Sequence, residues 1–82
     1  MMHFEFISNY DGVTDFRLYK RGQSDTRIRV QGNVCTYSDG SSLLRDELAA
    51  FNSQMRAKHD AARLAYPEHA PEFVEYVTGE HV

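Results

Sequence analysis

The sequence predicts an α+β fold: an antiparallel sheet of three or four strands in a meander, packed on one long helix and followed by a short C-terminal element. Three observations lead there. Apolar residues alternate with a period of two through the first 37 positions, they recur with a helical period from Ser41, and Pro67 disfavours helical geometry at the residue before it. The 82 residues, 41% hydrophobic and 26% charged, lie in the ordinary globular range. No repeat, low-complexity tract or linker divides them, so residues 1–82 read as a single domain.

In "HFEFIS", Phe4 and Phe6 alternate with His3 and Glu5 in the pattern of a half-buried strand, and the following "NYDG" carries turn chemistry. A second strand begins near Val13, with Thr14, Phe16 and Leu18 on one face and Asp15, Arg17, Tyr19 and Arg21 on the other. "GQSD" is the next turn. A third strand then places Thr26, Ile28 and Val30 inward and Arg27 and Arg29 outward, and "QGN" leads into a short fourth strand, "VCTY".

Leu44, Leu48, Phe51, Met55, His59, Ala62 and Tyr66 follow one another at spacings of three or four and form one helical stripe. Asp39, Ser41 or Ser42 is suited to cap the first turn. A helix from about 41 to 65 is roughly 37 Å long, against about 20 Å for a six-residue strand, so it is expected to overhang its sheet. Two covers for the overhang suggest themselves. One is a second copy of the chain, with a dimer interface around Met55, His59 and Tyr66. The other is the chain's own C-terminus, turned back by "YPEHAP". There Pro71 suits a first helical position and Phe73, Val74 and Val77 an apolar edge, although "EFVEYV" also alternates as a strand.

Composition narrows the chemistry. The single cysteine, Cys35, points to a reducing compartment, and neither a signal sequence nor an apolar run of membrane-spanning length is found, so a cytoplasmic location and no membrane partner are expected. Phosphate-binding loops and nucleophile-elbow motifs are absent from the sequence. Cys35 with His59 lacks the surroundings of a nucleophile and its base. The histidines and carboxylates His59, Asp60, Glu68, His69 and His81 lack close ligand pairs such as two histidines at i and i+4. No catalytic residue, metal or cofactor is therefore assigned. His59, the one polar member of the stripe, reads as a partly buried ring bonded to a carbonyl or carboxylate.

The net charge of −3 is unevenly spread, with five basic and four acidic side chains in residues 1–37 and four basic and eight acidic ones in residues 38–82. The basic excess gathers on the outward face of the second and third strands, where Arg17, Tyr19, Arg21, Arg27 and Arg29 form the candidate partner-binding surface. Arginine and tyrosine are enriched at the energetic centres of protein interfaces, and the same residues can grip phosphates and stack on bases. The acidity of the remaining half favours a protein or ribonucleoprotein partner over bare nucleic acid. Direct DNA or RNA binding by the sheet is the alternative.

The order of an "HFEFIS" strand, a "RLYKRGQSDTRIRV" hairpin and a long helix in a small acidic chain resembles small phage-encoded inhibitors of the anti-CRISPR type, directed at type I surveillance complexes. The resemblance lies in the arrangement of residues 3–66 and assigns no individual residue a role. It implies a non-enzymatic protein that inhibits a host ribonucleoprotein by binding to it.

Overall fold

The chain's structure, a computed structural model, is described for residues 2–68 and 71–79. Its elements run β1 (Met2–Tyr10), β2 (Val13–Lys20), β3 (Thr26–Gln31), β4 (Val34–Tyr37), α1 (Arg45–Ala65) and β5 (Val77–Thr78). They form a five-stranded sheet in the order β1-β2-β3-β4-β5 with one helix, an α+β architecture. Four strands follow the expected meander. The fifth comes from the C-terminal element and pairs parallel to β4, Val34 with Val77 and Cys35 with Thr78.

The hairpins are set by their turn residues. Asp11 and Gly12 join β1 to β2 with φ of 54° and 80°, the doubly positive geometry that matches the twist of a two-residue hairpin. With only these two residues in the turn, β1 runs on to Tyr10. Gly32, at φ 63°, opens the equally short turn between β3 and β4.

The alternating pattern decides which side chains meet the helix. Phe4, Phe16, Leu18, Ile28, Val30 and Cys35 form the core together with Leu43 and Phe51 of the helical half. Phe51 is fully buried and receives the rings of Phe4, Phe16 and Tyr76 edge-on, with centroids 5.0–5.2 Å apart. Such pairs add about 0.5–1.5 kcal/mol each beyond their buried area. Phe6 shares the inward parity of Phe4 yet stays half exposed. Ile7 has no register partner, and this bulge shifts the pairing between Phe6 and Ser8.

The helix begins at Arg45, later than about residue 41, because Asp39 is engaged elsewhere. Its carboxylate accepts the backbone N–H and hydroxyl of Ser41 and so closes a local turn. Leu44 is the N-cap, and Glu47 reaches back to accept its N–H at 2.8 Å, half of a capping box. The helix ends at Ala65, as Pro67 requires.

Two helix amides tie down the two ends of the chain. Successive helical residues turn by about 100°, so Asn52 and Gln54 project to opposite flanks of Phe51. Gln54 donates to Met2 O at 3.1 Å and accepts from Phe4 N at 3.4 Å, occupying part of the free edge of β1 as a neighbouring strand would. Asn52 does the same for the C-terminal segment, accepting Tyr76 N at 2.7 Å and donating to Tyr76 O at 3.0 Å. Residues 71–76 are accordingly neither helix nor strand. They form an extended strap that buries part of Phe73 and Tyr76, where a helix would have offered Phe73, Val74 and Val77; Val74 and Val77 face solvent instead.

Candidate functional site

The helix covers one face of the sheet, and among the described residues no second element packs on the other. Register fixes what that open face presents. One row across it is Glu5, Arg17 and Arg27; the next is Asp15, Arg29 and Thr36; a third brings His3 beside Tyr19. Each row is a set of cross-strand neighbours with Cβ atoms about 4.5–5.5 Å apart.

Of the five residues expected to form the contact surface, four converge. Arg17, Tyr19, Arg27 and Arg29 share the open face. Arg21 lies past the end of β2 in the exposed turn and is not part of it. Lys20, next to it, is not on the face either: its parity is that of Leu18, and its side chain turns inward to Glu47.

The acids of the face are already engaged. Glu5 accepts the Tyr19 hydroxyl at 2.9 Å, and the Arg17 guanidinium donates to that hydroxyl oxygen at 3.3 Å. The Tyr19 contact, with smaller help from Asp25 and Glu5, raises the Arg17 pKa further above its already high value. Asp15 takes Arg29 at 3.4 Å. Arg27 has no ion-pair partner among the described residues, and it stands directly opposite Arg17. Like charges in directly opposed positions of a sheet repel, and at Arg17 the neighbouring Tyr19, Asp25 and Glu5 work against that repulsion.

A fourth row went unrecognised in the sequence. Tyr10, Val13, Gln31, Val34 and Val77 are register partners across all five strands. Tyr10 is 82% exposed, Val34 40% and Val77 49%. Shallow hollows of about 290 Å³ and 420 Å³ lie on either side of Arg29, one touching Tyr10 and Val13, the other Gln31 and Val34. The period-two pattern carries a signal for Val13 and Val34, whose parity is opposite to that of Thr14 and Cys35. Tyr10 and Val77 could be added only once their strands were known to extend that far.

The proposed dimer residues are not brought together as one free surface. Met55 packs on the core. His59 is covered by the strap: Nε2 bonds to the Pro71 carbonyl, and the ring meets Phe73 edge-on at 5.6 Å. Because a carbonyl only accepts, Nε2 is the donor in this contact, while Nδ1 is buried without a hydrogen-bond partner among the described residues, 3.9 Å from Asp60. This is the carbonyl-bonded ring expected from the stripe. Arg56 lies over the Phe73 ring at 4.6 Å and pairs with Glu75 at 3.3 Å, closing the clasp. Every residue from Asp60 to Glu68 is exposed, so Tyr66 remains free, with Leu64 87% exposed beside it. The strap therefore covers the overhang only as far as His59.

Cys35 is fully buried and its thiol is pushed up to about 12 by that burial, the opposite of the depressed value a nucleophile needs. Among the described residues no three His, Cys, Asp or Glu side chains converge as metal ligands; His69 and His81 lie outside those residues. No helix among the described residues is long and apolar enough to cross a membrane. Comparison of the chain with protein families, with curated proteins and with solved structures finds no match.

Proposed function

We propose that this chain is a non-enzymatic interaction module that engages a protein or ribonucleoprotein complex through the open face of its sheet and acts by occupying its partner's surface. The observation that carries this reading is the opposition of Arg17 and Arg27, two arginines without a direct ion pair among the described residues, two rows from an exposed apolar row. A surface that combines desolvatable apolar area with forked donors suits a protein contact. Inhibition of a host macromolecular machine, the mode implied by the resemblance to small phage-encoded inhibitors, fits a chain that offers a contact surface in place of reactive groups. A cytoplasmic setting belongs to the same proposal.

Direct nucleic-acid binding is the weaker reading, because Glu5 and Asp15 stand within the arginine rows and oppose a continuous track of phosphates. The two are separated by affinity capture from cell lysate with the wild-type chain and with Arg17→Glu combined with Arg27→Glu. The double variant is expected to fold normally by circular dichroism and to lose the captured complex. Undiminished capture overturns the assignment. Retention of generic oligonucleotides that falls by about 0.9 log units per log unit of salt for each phosphate contacted favours the nucleic-acid reading instead.

A further inference from the structure

The partner's chemistry can be narrowed from the charge arrangement of the open face, an inference that rests on the interaction reading above. Glu5 is committed to Tyr19 and Asp15 to Arg29, while Asp25 influences Arg17 only through space. Arg17 and Arg27 are register partners; Arg17 spends one N–H on the Tyr19 hydroxyl, and neither arginine forms a direct ion pair among the described residues. The open place is local. The Glu5 carboxylate borders it within the same row and Asp15 in the next, so one compact anion is welcome there and a run of anions along the face is not. Guanidinium forks match the planar two-oxygen geometry of a carboxylate. Two rows away, past Arg29, lies the apolar row of Tyr10, Val13, Val34 and Val77.

We infer that the open face receives an acidic protein segment, one that sets a single Asp or Glu carboxylate between Arg17 and Arg27 and lays flanking apolar side chains against Tyr10, Val13, Val34 and Val77. A carboxylate there can accept from both guanidiniums at once. The apolar neighbours supply the desolvation that makes such a contact stronger than an exposed ion pair, which contributes only about 0–1 kcal/mol.

The test uses the full chain labelled with nitrogen-15 and three probes: an octapeptide alternating Glu and Val, its counterpart alternating Gln and Val, and an octathymidine oligonucleotide. The Glu-containing peptide is expected to shift the amides of residues 17, 27 and 29 together with 13, 34 and 77. The Gln counterpart should bind at least tenfold more weakly. Arg17→Gln with Arg27→Gln should weaken the Glu peptide at least tenfold, and Arg21→Gln, in the turn, should leave it unchanged. Equal binding of the two peptides overturns the inference. Shifts of the same amides by the oligonucleotide alone also overturn it, yet keep the open face as the contact surface. Absence of shifts with every probe overturns it as well, and the interaction reading falls with it only if the Arg17→Glu, Arg27→Glu chain still captures its complex.

Discussion

The two faces of the sheet treat charge in opposite ways. On the covered face Glu47 is 2% exposed and fully engaged. One carboxylate oxygen accepts the Tyr37 hydroxyl and the Leu44 N–H, and the other meets the Lys20 ammonium. Burial alone would raise the Glu47 pKa, but Lys20, Tyr37 and the Leu44 N–H together outweigh it and hold the carboxyl below its usual value. Tyr37, desolvated and donating to that carboxylate, is pushed up to about 12. On the open face the arginines of the Glu5–Arg17–Arg27 row have no such closure. Inside, the chain completes the Glu47 charge because the low dielectric makes an orphan costly. Outside, water tolerates an incomplete pair, and the incompleteness is what a partner can use.

The contrast is broken most severely by Glu47→Ala, which strands the half-buried Lys20 ammonium and orphans the Leu44 N–H. A loss of about 3 kcal/mol is expected in urea-induced unfolding, a large share of the roughly 5 kcal/mol a domain of this size is apt to have. Glu47→Gln keeps the acceptor and should lose less.

Acid tests the same network without mutation. Because the folded pKa of Glu47 is lowered, its contribution is present above the unfolded value near 4.5 and lost as pH falls through the folded value. The urea midpoint should therefore drop below about pH 4.5, and by less in Glu47→Gln. Tyr37 and Cys35 have the opposite sign, each raised to about 12 from ordinary values of 10.0 and 9.0. Their contributions are complete below those ordinary values and decline as pH rises towards 12, so the midpoint should also fall in alkali.

Asn52→Ala removes both hydrogen bonds to Tyr76 and should cost about 1–3 kcal/mol. Faster hydrogen exchange at residues 76–78, with the β1–β2 amides unchanged, would separate a loosened strap from global destabilisation. The smallest effect on stability has the most informative sign. Arg27→Glu replaces an opposed like-charge pair with an opposite one, so stability should rise by roughly 0.2–1 kcal/mol while partner binding is lost. A fall in stability would mean that the open face is built for the chain's own sake.

The strands and their faces were legible because a period of two needs only neighbouring residues, and Phe4, Phe16, Leu18, Ile28 and Val30 are buried as their alternation required. The helix end was legible because Pro67 acts on the residue beside it. The helix start was not: "DGSSLLRDE" offers several caps, and the choice fell to Glu47, whose reach back to Leu44 is reinforced by Lys20 and Tyr37 from the sheet. A signal for that contact was present. Lys20 shares the parity of Leu18, and Glu47 stands one helical turn before Phe51, so both charges pointed inward with opposite sign.

The site divides in the same way. Alternation put Arg17, Tyr19, Arg27 and Arg29 on one face without any knowledge of register. Which of them pair, and that Arg17 meets Arg27 while Arg29 meets Asp15, depends on how β2 and β3 are aligned across the turn between them. The fate of "AYPEHAPEFVEYV" was the least local matter of all. Helix and strand were both open to residues 71–77, and neither propensity decided between them. Asn52, His59 and Arg56 present their side chains along one flank of the helix, and the strap takes the extended path that satisfies them.

The sequence by itself determined the α+β class, the sidedness of each strand, the stop at Pro67 and the basic character of the open face, since each follows from periodicity or from a residue's own backbone restriction. Only the tertiary structure decided the fifth strand, the Lys20–Glu47–Tyr37 network and the opposition of Arg17 to Arg27. Those depend on which distant groups arrive within hydrogen-bond reach, and such distances are set by packing.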